Sequence, residues 1–191
     1  KKIPKKTTTN KTMIGYKIPL SLKQKTWDWL QDHSMGHRFA ANGNKEEQYT
    51  GLLGENMFKT IIGLYPTFED GFDGGYDIGL NGKKVDVKTM GRSVDPKPHY
   101  VNNFISYQEH FDCNMYAFCS INKKQNTFWI CGMIDKDTML QNASYYKEGE
   151  IRYRDNGTSF QMKAPTYEIE NHKLHQIDTI QSIWQYINDY E

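Results

Sequence analysis

Two neighbouring stretches, residues 115–121 and 127–134, are apolar on both of the faces a strand presents, and a polar connection at residues 122–126 joins them. Side chains alternate between the two faces of a strand, so strands with no polar face belong inside a sheet that is covered on both sides. That requirement sets the expected fold class: α/β, a mixed central β-sheet flanked by helices. The covering helices are legible around it. Residues 45–64 place Tyr49, Leu52, Leu53, Met57, Ile61 and Leu64 along one side of a helix. Residues 21–32 form another, with Ser21 as its cap and Leu22, Trp27 and Leu30 as apolar anchors. Further helices are predicted at 103–110, at 135–142 and, closing the chain, at 174–190. Residues 33–44 and 91–100 read as loops, the tyrosine-rich residues 144–164 as a hairpin or flap, and residues 167–170 as a last strand.

At 191 residues the chain fits one domain with a real core. No apolar run reaches the length of a membrane span, and no apolar signal core is visible at the amino end. The expected location is therefore the cytoplasm. Cys113, Cys119 and Cys131 are odd in number and lack a Cys-x-x-Cys pair, so they read as reduced, buried thiols. Net charge is only +1, so a nucleic-acid surface needs local segregation of charge. Such segregation occurs at the start. Residues 1–25 carry eight lysines and no acid, and residues 1–20 read as a basic arm ahead of a single domain at 21–191. An arm of this kind is either a solvated segment or one that lies along phosphates.

Residues 74–92 carry the chemistry. Asn81-Gly82 signals a tight turn between two short strands. Alternation puts Val85 and Val87 on one face and Lys84, Asp86 and Lys88 on the other. Asp77 stands in the partner strand, and Glu55 projects from the helix over 45–64. Gly51 and Gly54 flank Glu55. Each costs a helix about 1 kcal/mol against alanine, which points to close approach by a strand or a substrate. Carboxylates from two strands and a helix make a hard oxygen site suited to Mg²⁺ or Mn²⁺. A lysine beside it can steady an attacking water or developing phosphorane charge. Lys-x-Asp-x-Lys alone also describes a solvent-facing strand. The ordered set of Glu55, Asp77, Asp86 and Lys88 carries the reading.

That set resembles the PD-(D/E)XK nuclease superfamily, in the branch of Holliday-junction resolvases and phage nucleases. The likeness spans residues 48–92: GLLGE around Glu55 is similar to the first-helix signature, Asp77 to the first aspartate, and VDVKT to the (D/E)XK strand. Tyr76 departs from the proline of the family's name. The resemblance implies a restriction-endonuclease-like fold and an Mg²⁺-dependent nuclease, with Mn²⁺ as substitute, acting as an endonuclease on DNA, with RNA left open. It implies metal binding by Asp77, Asp86 and the Val87 carbonyl, a metal or its water held by Glu55, and a catalytic Lys88. Branched-DNA resolvases are usually dimers, so a homodimer is compatible. The alternatives are a catalytically silent nucleic-acid-binding relative and an interaction protein whose carboxylates are surface charge.

Arg92, Lys97 and His99 follow the site and are candidates to hold phosphates. Arg152 and Arg154 alternate with Ile151 and Tyr153, so they share a face as a DNA grip, beside Tyr145 and Tyr146 for stacking on bases. Gln108 falls on the predicted 103–110 helix, where some relatives of that superfamily place a supporting glutamine; here it reads as a surface residue. No zinc spacing and no phosphate-cradling Gly-x-x-x-x-Gly-Lys loop is present.

Overall fold

The computed structural model describes residues 13–33, 35, 43–70, 74–154 and 157–190. Ile14–Lys17 form strand β1, within the stretch read as a basic arm. Lys17 is tied down there, donating to the Gln125 carbonyl at 3.0 Å. Lys1, Lys2, Lys5, Lys6 and Lys11 lie outside the described residues, as does most of the expected loop at 33–44. Helix α1, Leu20–Asp32, has Pro19 at its N-cap, so Ser21 is not the cap. Leu22 and Leu30 are buried, whereas Trp27 stays 45% exposed and meets Tyr49 edge-on.

Helix α2, Lys45–Ile61, begins at a reciprocal cap. The Asn44 side chain accepts from the Glu47 N–H at 2.9 Å and the Glu47 carboxylate from the Asn44 N–H at 2.8 Å, which satisfies two donors the helix start would leave orphaned. Gly63, in the left-handed region at φ 87°, ends the helical path before residue 64. Strands β2, Ile78–Leu80, and β3, Lys83–Arg92, form the expected hairpin. Asn81 and Gly82 both take positive φ, 48° and 76°, as a two-residue turn between twisted strands requires.

The helix expected at 103–110 is instead strand β4, Val101–Ile105, followed by a 3-10 turn at Ser106–His110. Asn102 and Phe104 are the buried positions of β4, a period of two that pairing with another strand satisfies and a helix would not. Strands β5, Met115–Asn122, and β6, Thr127–Asp135, form where expected. Asp135 caps the short helix α3, Lys136–Asn142, by accepting from Thr138 N–H. Strands β7, Ser144–Tyr146, β8, Ile151–Tyr153, and β9, Ser159–Gln161, make up the flap region, and β10 is Thr166–Glu170. The closing helix α4 is only Ile180–Asp189. His175 pairs with Met133 instead of joining it.

Five strands form a mixed sheet in the order β1-β6-β5-β3-β2; β3 and β5 run parallel and the other neighbours antiparallel. All eight residues of β5 are buried, and the two faces of this strand enter different cores. Met115, Ala117, Cys119 and Ile121 join Leu53, Met57 and Phe58 of α2 and Ile183 and Ile187 of α4. Tyr116 and Phe118 join Phe104, Met139 and Ile169. The second face is thus covered by a three-stranded sheet, β4-β10-β7, together with α3, where the sequence reading places helices on both sides. The three thiols are free and buried. Burial pushes all of them up, Cys131 to about 11. No described helix is long and apolar enough to cross a membrane.

Candidate active site

Strand β2 is short, and its brevity creates the site. Its ladder with β3 stops where the Asp77 N–H donates to the Val85 carbonyl at 3.0 Å. Beyond that point the Asp77 carboxylate takes over from the missing strand, accepting from the Val87 N–H at 2.6 Å. The N–H and C=O of one strand residue point to the same side. The Val87 carbonyl therefore faces the same edge, past the end of β2.

The parallel register pairs Val85 with Met115, Val87 with Ala117 and Thr89 with Cys119. These side chains lie on the face that α2 covers. Gly54 makes that crossing possible: a Cβ there would fall 2.6 Å from Thr89 Cβ and Cγ2, and closer still to its Oγ1. Asp86 and Lys88 project from the opposite face, toward the second sheet. Glu55 therefore does not look straight down on them. The two sides meet at the open edge left by β2, in a pocket of about 240 Å³ lined by Glu55, Asp77, Asp86, Val87 and Lys88. Gly51 also lines it, with nothing within 4 Å of its would-be Cβ. Of the two expected close approaches, one is a strand and the other is open pocket.

Each carboxylate is held. Asp86, 5% exposed, receives the Lys88 ammonium at 2.7 Å. Glu55, 8% exposed, pairs with Lys59, four residues along the same helix. Asp77 is turned to the strand backbone. Because each acid faces its own partner, no group of three His, Cys, Asp or Glu among the described residues forms a ready metal cage. Formally three carboxylates stand against two ammoniums, Lys59 and Lys88. The site is one negative charge in excess and so favours a cation.

The far wall comes from β4 and the turn after it: Asn103, Phe104, Ile105 and Gln108. Gln108 is a correction to the sequence reading. It lines the pocket, and its Oε1 is buried without a hydrogen-bond partner. Such an acceptor is costly to leave unmatched, so it is a candidate to meet a donor in the pocket. Reading residues 101–105 with a period of two would have ended the element at Ile105 and put Gln108 in the turn that follows. The Lys59 pair was also missed, although its i,i+4 spacing from Glu55 is a recognised signal.

The candidate phosphate-binding residues Arg92, Lys97, Arg152 and Arg154 do not line the pocket. Arg92 points into the protein, donating to Ser120 Oγ at 3.2 Å and the Val101 carbonyl at 2.6 Å, with its guanidinium over Tyr100. Burial lowers its pKa. It fastens β3 to β4 and β5 and is not free to grip phosphate. Lys97 is exposed in the loop after β3, away from the pocket lining; its carbonyl accepts from Asn171. His99 is exposed and edge-on to Tyr100. Arg152 donates to the buried Glu168 at 2.8 Å and lies over Tyr146, so its guanidinium is engaged within the protein. Arg154 stacks its guanidinium on Phe160. A larger cavity, about 370 Å³, lies between α1, α2 and the β5–β6 turn. Its lining is chiefly apolar and its one carboxylate, Glu46, is paired with Lys123, so it lacks the group of acids that the smaller pocket has.

No protein-family model, curated protein or solved structure shows a significant match to this chain. The functional reading therefore rests on the residues and the geometry.

Proposed function

We propose that the chain is a metal-dependent nuclease that hydrolyses DNA phosphodiester bonds, built on a restriction-endonuclease-like fold of the PD-(D/E)XK type. One observation carries the reading. Glu55, Asp77, Asp86, Val87 and Lys88 come from a helix, a bend and a strand, and all of them line one pocket at a sheet edge. The donors are all oxygens, which fits a hard divalent cation and not zinc. Asp77, Asp86 and the Val87 carbonyl would hold Mg²⁺, or Mn²⁺ in its place, with Glu55 binding directly or through water. Such an ion supplies an activated water and offsets charge on the phosphate.

The remaining work falls to the chain. Lys88 keeps its ammonium against Asp86, where it can donate to the attacking water or to a phosphoryl oxygen as charge builds there. Asp77, accepting from the Val87 N–H, ties the start of the hairpin to β3 at the pocket. Gln108 offers an acceptor from the opposite wall. The test is a panel of labelled linear, single-stranded, flapped and four-way DNA substrates. Cleavage of at least one with Mg²⁺ or Mn²⁺, abolished by chelator, is expected. No cleavage of any substrate with either ion would overturn the proposal.

A further inference from the structure

Lys59 is the feature of this site that its chemistry does not call for. The residue is 7% exposed, on a stretch of α2 whose neighbours Met57 and Phe58 are core. Burying an ammonium is expensive, and apolar side chains of similar volume often serve stability as well or better. Lys59 forms no part of the pocket lining, so it does not reach a substrate there. It contacts Glu55, which does line the pocket.

The geometry holds this lysine in one place. Helical side chains lean toward the amino end of their helix, so Lys59 bears on Glu55 from one turn behind. Its ammonium also donates to Thr67 Oγ1 at 2.6 Å. Thr67 is in turn fixed to fully buried Asn56: its N–H donates to Asn56 Oδ1 at 2.8 Å, and its carbonyl accepts from Asn56 Nδ2 at 3.0 Å. A cation anchored at both ends can set the direction of a carboxylate without moving into the pocket.

On the metal-site reading above, we propose that Lys59 is a positioning residue: by its hydrogen bond it orients the Glu55 carboxylate toward a divalent cation. Outer partners of metal ligands commonly govern affinity by 10- to 100-fold. Stability alone would give the pair no such effect.

The experiment measures Mn²⁺ binding by calorimetry, together with the melting temperature of the metal-free protein. Lys59→Met is expected to weaken Mn²⁺ binding about tenfold. Lys59→Gln keeps a donor for Glu55 and Thr67 while removing the charge. It should weaken binding less than Lys59→Met, because the donor that orients Glu55 is kept, and it stands in for Lys59→Met if that variant does not fold. In a Glu55→Gln background the same changes should alter affinity by less than about twofold, because Lys59 acts only through Glu55. Lower melting temperature with unchanged affinity would overturn the inference and leave a purely structural pair. An equal loss in the Glu55→Gln background would overturn it as well. Absence of Mn²⁺ binding in the unsubstituted protein would instead overturn the metal reading itself, and this inference with it.

Discussion

The crossing of α2 over β3 gives two alanine substitutions of opposite sign. Gly51 and Gly54 lie one turn apart on the same helix, so alanine at either position gains about 1 kcal/mol of helix propensity. At Gly51 nothing stands within 4 Å of the new Cβ. Gly51→Ala should therefore stabilise the protein by roughly that amount. At Gly54 the new methyl would lie 2.6 Å from two carbon atoms of Thr89, on a strand that is itself hydrogen-bonded into the sheet. The obstacle is not the tip of a flexible chain, so α2 has to lift. Overpacking of this kind costs about 1–3 kcal/mol, and the upper end applies where three atoms are struck together. Net of propensity, Gly54→Ala should destabilise by about 2 kcal/mol, which for a chain of this size lowers the melting temperature by about 4–8 °C. Urea unfolding followed by tryptophan fluorescence measures both variants. Thr89→Ala removes two of the three struck atoms and should recover about 1 kcal/mol in the double variant beyond additivity. Gly54→Ala as stable as the unsubstituted chain would mean that α2 does not sit on β3 as described.

Asp86→Asn and Lys88→Ala separate two roles on one strand face. The first should weaken Mn²⁺ binding in calorimetry and cleavage together; the second should leave binding largely intact while raising the cleavage barrier by about 3 kcal/mol or more. Both variants cutting like the unsubstituted protein would move the site elsewhere. Arg152→Ala should act on folding and not on DNA affinity. It leaves Glu168, 4% exposed at its side chain, without its cation, a loss of about 3 kcal/mol in urea unfolding. Weaker DNA binding at unchanged stability would restore the grip assigned from sequence.

The strands that organise the sheet were legible because their composition left no alternative: β5 and β6 have no polar face to give to water. The hairpin was legible because Asn81-Gly82 is specific to one turn type. Pocket membership of Glu55, Asp77, Asp86 and Lys88 followed from face alternation and order along the chain. The side from which Glu55 approaches did not. It depends on the β3–β5 register, a long-range pairing that no local pattern encodes. For the same reason the partners of Arg92 and Arg152 inside the protein were not legible. Alternation shows that an arginine leaves a strand on a given face, but not that Val101 or Glu168 is waiting there. Residues 103–110 failed differently. So short a segment has little helical or strand preference of its own, and pairing of residues 101–105 with β10 decides it.

The parallel pairing of β3 with β5 has a consequence for how such a pocket can change. A chain leaving the end of β3 must travel back along the sheet before it can enter β5 in the same direction, and that return passage contains β4 and the turn bearing Gln108. The acids and Lys88 stand on α2 and the hairpin; Asn103, Phe104 and Gln108 stand on the return passage. Substitutions in the passage can reshape what the pocket admits while the charged groups keep their places. Under the proposed function, substrate preference and chemistry would then answer to different segments of the chain.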